Sequence, residues 1–341
     1  MSICILTNTV SKKYIEDDYI IKKSSYILNA EILDFETKNI QHYINKNYKN
    51  VLIYFDSYVT NINRFYELLK KININKTFVI NYIPHKEKVL QNNILKYVEE
   101  KALHYIVPNK KELEEFYNLS DRFIFYSQED RDDFYKFYNL KNKKNAVIIP
   151  SIENKNKFEV DRNNIQSVYP HIGFNGNIEY KKGLYEMLFS VYNLNYKNLS
   201  INIFGTHGKD ETIEEDLLNF YTENLTNVNF KGKLVNSKRF FRYNTFYFGC
   251  ANYHSFSPFC LENISNGMVP LLSKGSHYHS LLEDYPFTIE DQTVDSYSIL
   301  FDKIFNFDSN YFFTLLKDKN KILSKYNNEY FNNNIKKFLN E

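Results

Sequence analysis

Residues 175–188 read NGNIEYKKGLYEML. An apolar run, His171–Phe174, ends just before them. Gly176 lets the backbone turn and come close to a ligand that a Cβ would push away. Asn177 follows with a side chain that can donate a hydrogen bond. Lys182 and Gly183 open a helix pattern, Lys182–Tyr192. The free N–H groups and the dipole at a helix start favour negative charge, and a lysine there adds a full positive charge. These residue types point to a phosphate or diphosphate site. The competing reading is a Gly-Asn turn followed by a solvated lysine. No G-x-x-x-x-G-K-[ST] and no G-x-G-x-x-G after a strand occurs, so ATPase and nicotinamide-dependent chemistry lose their usual support.

A second stretch, residues 253–276, reads YHSFSPFCLENISNGMVPLLSKGS. A loop with Ser255, Ser257 and Pro258 precedes a short predicted helix, Phe259–Asn266, which carries Glu262. Asn266-Gly267 is a good helix stop, and a predicted strand, Val269–Leu272, follows at once. A carboxylate can accept hydrogen bonds from the two hydroxyls of a ribose. The helix start near Ser257–Phe259 can hold a diphosphate, and Lys274 lies just past the next strand. The two stretches together suit a nucleoside diphosphate.

Other groups carry weaker signals. His85 follows a predicted strand and could orient a substrate, with a plain loop histidine as the alternative. Asp56 at another strand end is a similar case. Thr7, Asn8 and Thr9 end the first strand and could hydrogen-bond an acceptor. Asp130-Arg131-Asp132 resembles a metal-binding D-x-D, but Ser127 just before it makes an acidic, capped helix start the better reading. His277 and His279 are read as a loop without a third ligand. No convincing metal cluster is present. Cys4, Cys250 and Cys260 lack metal spacing and read as buried thiols of a reducing compartment.

The elements that must position these groups alternate. Predicted strands at Ser2–Leu6, Ser25–Leu28, Val51–Asp56, Thr77–Tyr82, His104–Val107, Arg122–Tyr126 and Ala146–Ile149 are interleaved with helical patterns such as Ile62–Lys71 and Leu90–Lys101. This alternation predicts an α/β fold with parallel sheets. A polar, aperiodic stretch at 149–164 reads as a linker. The alternation then restarts and ends in a helical tail with an amphipathic stretch, Tyr330–Leu339. The expected organisation is a first Rossmann-like domain over 1–150, a second over 165–325, a cleft between them, and a last helix over 326–341.

The order strand–GN-x4-KG–helix, then INIFG (201–205), VNFKG (228–232) and LEN-x2-NG-x2-P (261–270), resembles the donor-binding half of GT-B glycosyltransferases, especially glycosyltransferase family 4. The likeness covers roughly 170–290. It implies a retaining transfer from a nucleotide-diphosphate sugar to a hydroxyl, by a hexosyl- or pentosyltransferase that needs no metal or other cofactor for chemistry. It assigns the diphosphate to Lys182 and the ribose to Glu262, and it packs the last helix back on the first domain. Two positions depart from the family pattern. Asn177 stands where an arginine is usual, and His254 stands where the first Glu of an E-x7-E pair is usual. In this scheme His85 and His254 orient the sugar. Gly176, Asn177, Ser257, Pro258, Phe259 and Lys274 line the donor, and Thr7, Asn8 and Asp56 lie on the acceptor side. GNIEYKKGLYEM, Lys274 and IFYSQEDRDDF (124–134) also resemble the alpha-glucosyltransferases of T-even bacteriophages, which glucosylate hydroxymethylcytosine in DNA.

The bulk numbers leave the acceptor open. The chain has 341 residues, 43% hydrophobic and 25% charged, with a net charge of +2, +4 over 1–150 and −2 over 151–341. No polyanion partner is implied by total charge, although the basic first half is compatible with double-stranded DNA. A cell-surface glycan, a lipid-linked saccharide or an inactive GT-B-like binding protein are the alternatives. No signal peptide or transmembrane run is read, which predicts a cytoplasmic protein. The sequence does not indicate an oligomeric state. The 30 Tyr and 29 Phe, with no Trp, read as core packing rather than base-stacking platforms.

Overall fold

The structure, a computed structural model, describes residues 2–7, 19–55, 62–80, 109–120, 122–140, 143–151, 170–176, 178, 182–206, 212–234, 240–241, 244–250, 263–264, 266–274, 276–282, 284–306 and 308–341. The chain forms two compact units, Met1–Glu153 with Tyr326–Glu341, and Asn154–Lys325.

In the first unit β1 (Ile3–Thr7), α1 (Tyr19–Leu28), β2 (Glu31–Asp34), α2 (Ile40–Asn47), β3 (Asn50–Tyr54), α3 (Ile62–Lys70), β4 (Asn75–Ile80), α4 (Lys110–Tyr117), β5 (Arg122–Phe125), α5 (Gln128–Phe137) and β6 (Lys144–Val147) follow one another. The six strands are parallel in the order β2-β1-β3-β4-β5-β6. β1 and β3 are buried along their whole length, as expected of parallel strands covered on both faces. The core is aromatic. Phe116 packs against Phe78 with centroids 5.0 Å apart, and Phe134 touches Tyr117, Phe123 and Tyr138 at 5.0–5.2 Å. The abundant Phe and Tyr therefore fill volume that branched aliphatics fill elsewhere.

One predicted strand is a helix. Ser25–Leu28 lies inside α1, where buried Ile20, Ile21, Ser24 and Leu28 recur at helical spacing. The true strand is the short edge strand β2, EILD, whose two acidic ends hide the period-2 signal. The predicted helix Leu90–Lys101 and strand His104–Val107 lie outside the described residues. The last helix, α11 (Asn328–Asn340), packs against α1 within the first unit. It is held by Arg122 Nη1 donating to the Leu339 carbonyl (2.8 Å), by Lys144 against Glu341 (3.3 Å) and by Ser151 against Asn328 (2.6 Å).

In the second unit β7 (His171–Asn175), α6 (Leu184–Leu194), β8 (Ser200–Phe204), α7 (Thr212–Asn224), β9 (Val228–Gly232), β10 (Phe246–Gly249), β11 (Val269–Ser273), α8 (His277–Leu282), β12 (Thr288–Ile289), α9 (Val294–Phe305) and α10 (Ser309–Leu323) follow. The strands are parallel in the order β12-β11-β10-β7-β8-β9. The chain thus runs outward from β7 through β8 and β9, then returns to the other side of β7 with β10. His277–His279 are not a loop, as the sequence reading has it, but the start of α8. Among the described residues no helix is long and apolar enough to cross a membrane.

Candidate functional site

In open parallel sheets ligands bind beyond the C-terminal strand ends, where the strand order reverses. In the second unit that place lies between β7 and β10. The loop after β7 holds Gly176 and Lys182, and Cys250 follows β10.

The strand ends are built for close approach. The Gly176 N–H donates to the Phe204 carbonyl (3.1 Å), the Gly205 N–H to the Gly232 carbonyl (2.9 Å) and the Ile178 N–H to the Thr206 carbonyl (3.2 Å). A Cβ on Gly205 would collide with the Gly176 carbonyl oxygen. Gly176 itself has φ 154°, a region that favours glycine.

Lys182 is half-buried and lies before the helix rather than in its first turn. The sequence reading starts the helix at Lys182. The observed start is Leu184, because Gly183 adopts φ 72°, ψ 7° as the N-cap and breaks helical geometry there. The Gly183 carbonyl still accepts from Met187 N–H (3.3 Å). Behind this turn lies a partly buried polar chain. Gln292 Nε2 donates to the Cys250 carbonyl (2.7 Å), and the Tyr297 hydroxyl donates to Gln292 Oε1 (2.6 Å) and lies 3.5 Å from the Gly183 carbonyl. Burial, then the nearby Cys250 and Glu186, raise the Tyr297 hydroxyl well above its ordinary pKa, so it keeps its proton and donates. Glu186 is itself buried in the first turn of α6, where a negative charge suits the helix dipole.

Lys274 follows β11. Its N–H donates to the Ile289 carbonyl (2.8 Å), and its ammonium pairs with Glu290 Oε2 at 2.6 Å, both side chains being exposed. Contact with a ligand would therefore require that pair to open. His254, Ser257, Pro258, Phe259 and Glu262 lie outside the described residues, as does Asn177. Residues 263–264 and 266–268, where the sequence predicts the helix end, are described. The Gly267 N–H donates to the Ile264 carbonyl (3.0 Å) and the Met268 N–H to the Asn263 carbonyl (2.9 Å), with Gly267 at φ 84°. This is a Schellman stop at the Asn-Gly pair the sequence marks.

In the first unit the strand order reverses between β1 and β3. Thr7 ends β1, fully buried, in register with Tyr54 at the end of β3 and with Asp34 of β2. Asn8, Asp56 and His85 lie outside the described residues. The acidic run after Ser127 is a capped helix. Ser127 Oγ accepts from the Asp130 N–H at 3.0 Å, and Asp132 is held by Gln128 (3.0 Å) and Arg131 (3.1 Å). Among the described residues no group of three His, Cys, Asp or Glu side chains could hold a metal ion.

The sequence reading misses Gln292 and Tyr297. Their only linear signal is the helix start that follows: Thr293 Oγ1 accepts from the Ser296 N–H at 3.3 Å.

No protein-family model and no curated protein matches the sequence. In three dimensions the chain is similar to HepE of Anabaena, solved in complex with UDP, at 14% identity over the whole of both chains with a TM-score of 0.74. It is similar to sucrose-phosphate synthase from Thermosynechococcus elongatus at 11% identity over 100% of this chain and 98% of that one, TM-score 0.75. It also matches a trehalose-6-phosphate synthase, studied for glycosyl transfer with retention, at 12% identity over 86% and 74% of the two chains, TM-score 0.61. The chain has the GT-B fold. The neighbours are GT-B glycosyltransferases, and at these identities the likeness speaks for the fold of this chain. Within that fold, β7 and its Gly-Lys loop open the second of the two Rossmann-like units.

Proposed function

We propose that the protein is a nucleotide-sugar-dependent glycosyltransferase that binds the donor on its second unit. The observation that carries the reading is the loop from Gly176 to Gly183. It pairs a glycine strand end with a lysine just before a helix N-terminus, at the point where the strand order reverses in a GT-B fold. HepE binds UDP, which makes a UDP-sugar the first donor to test.

In this reading Lys182 and the amides near Ser257–Phe259 face the diphosphate, with Gly176 and Asn177 beside it. Glu262 takes the ribose. His254 and His85 orient the sugar, and Lys274 assists once released from Glu290. The bond from the sugar's anomeric carbon to the diphosphate breaks, and the acceptor oxygen bonds to that carbon with retention. The acceptor's proton leaves with the diphosphate. Fixed positive charge aimed at the leaving group is the main source of acceleration. Retention is supported by the neighbour studied for it. No step calls for a metal or other cofactor.

The acceptor side falls to the first unit, with Thr7, Asn8 and Asp56 at its strand ends. The proposed acceptor is a hydroxymethylated pyrimidine in phage-type double-stranded DNA, supported by the phage-enzyme likeness of 124–134 and 176–187 and by the +4 charge of 1–150. A binding protein without turnover is the second reading, favoured by Asn177 and His254 in place of the usual charged residues.

One experiment separates the readings. The wild type is incubated with labelled UDP-glucose and other nucleotide sugars, with and without hydroxymethylated DNA. Transfer or donor hydrolysis that falls about 100-fold or more in Lys182→Ala supports the enzyme. Donor binding without either reaction supports the binding protein. No donor binding refutes both. Transfer to a glycan but never to DNA refutes the DNA acceptor.

A further inference from the structure

The polar chain behind the Gly-Lys turn lies outside every group assigned above, and it joins the two loops that flank the reversal point. Gln292 holds the carbonyl that ends β10 through its amide nitrogen (2.7 Å) and accepts the Tyr297 hydroxyl on its amide oxygen (2.6 Å). Tyr297 also reaches the carbonyl of Gly183 (3.5 Å). Both amide atoms of Gln292 are thereby spent on the two sides of one junction. Gly183 leaves no room for slack, since a Cβ there would strike the Cys250 carbonyl and lie 3.2 Å from Gln292 Oε1. The Tyr297 ring is fully buried and stacked on Phe248 of β10 at 6.5 Å, with Phe301 at 5.8 Å. The clamp therefore stands on β10 and on α9.

We infer that Gln292 and Tyr297 are positioning residues. They fix the turn carrying Lys182 against the end of β10, so that the turn is preorganised for an anion. The inference rests on the proposed donor site. Neither side chain needs to touch the ligand. Their contribution is the ordering that the loops would otherwise undergo on binding.

The test uses the full chain and two near-isosteric variants, Tyr297→Phe, which removes only the hydroxyl, and Gln292→Met, which removes both hydrogen bonds. UDP is the binding probe, followed by calorimetry, and amide hydrogen exchange of residues 182–188 in the ligand-free protein is the structural probe. Expected are folded variants, faster exchange confined to 182–188 and the segment around 250, and UDP affinity weakened about three- to ten-fold, the size of one or two neutral hydrogen bonds. The double variant should lose little more than Gln292→Met alone, because the hydroxyl's main partner is already gone. Wild-type affinity in folded variants overturns the inference and leaves the donor site standing. Weakened affinity with unchanged local exchange also overturns it, because the residues would then act by some other route. If wild type binds neither UDP nor any other nucleoside diphosphate, the donor site fails and the positioning role falls with it.

Discussion

Gly183→Ala and Gly232→Ala form a matched pair that tests whether the turn before α6 is locked. Both glycines have left-handed backbones, φ 72° and 67°. An added Cβ meets nothing within 4 Å at Gly232, but at Gly183 it meets the backbone oxygen of Cys250, inside the 3.0 Å that real Cβ atoms respect. The left-handed conformation costs an alanine roughly 1–2 kcal/mol, and stiffening of the unfolded chain returns about 0.4–1 kcal/mol. Gly232→Ala should therefore lose about 1 kcal/mol. Gly183→Ala bears the same backbone cost plus about 1–3 kcal/mol of overpacking, because the Cys250 carbonyl cannot retreat without stretching its bond to Gln292. Its loss should be about 3 kcal/mol. Urea titration at 25 °C, read on the transition of the second unit, checks this. With a slope of about 2 kcal/mol/M, the midpoints should fall by about 0.5 M and about 1.5 M. Gly183→Asn tolerates the backbone angle but keeps the collision, so it should stay close to Gly183→Ala. Equal midpoints for Gly183→Ala and Gly232→Ala would refute a locked junction.

Gly205→Ala should be at least as damaging as Gly183→Ala, since its Cβ would overlap the Gly176 carbonyl, and it should abolish UDP binding even where the protein stays folded; calorimetry checks this. Ser127→Ala removes the cap on Asp130 N–H and should cost the first unit about 1 kcal/mol, with UDP affinity unchanged, by urea titration and calorimetry. Burial raises the Cys4 thiol from 9.0 to about 12. The folded state therefore favours the protonated form: the contribution to stability is complete below pH 9 and is lost as pH rises toward 12. Accordingly Cys4 should resist alkylation at pH 8.5 in the folded protein and react on unfolding, as followed by mass spectrometry of the Cys4 peptide.

Much of the fold was legible because buried parallel strands are short apolar runs, and β1, β3, β7 and β11 are of this kind. The edge strand β2 was not legible. Two of its four residues are acidic, and α1 just before it is rich in Ile and Tyr, so local composition favoured the wrong segment. The Asn266-Gly267 stop was legible because a left-handed C-terminal turn needs such residues. The helix start was placed two residues early, at Lys182 instead of Leu184, because only the backbone angle of Gly183 shows where the helix begins. Gln292 and Tyr297 were invisible for another reason. They are 109 and 114 residues from Gly183 in sequence, and a Gln before a helix cap or a Tyr within a helix looks like many others. Their role depends on β10 and α9 being placed around one turn, which no local pattern encodes.

The two sheets reach comparable solutions by different strand orders. In the first, one strand is laid on one side of β1 before the chain crosses to β3. In the second, two strands are laid on one side of β7 before it crosses to β10. In both, the first strand of the unit ends up beside the reversal point, the place beyond which ligands bind in open parallel sheets. That is why Thr7 and Gly176, chosen from strand ends in the sequence, fall at reversal points in the structure. It also separates the two places chemically. Thr7 is a buried hydroxyl whose carbonyl accepts the Phe35 N–H at 3.2 Å. Gly176 opens a loop that brings a lysine to a helix start. In the proposed reading the charged leaving group lies at the second reversal point and the neutral hydroxyl acceptor at the first.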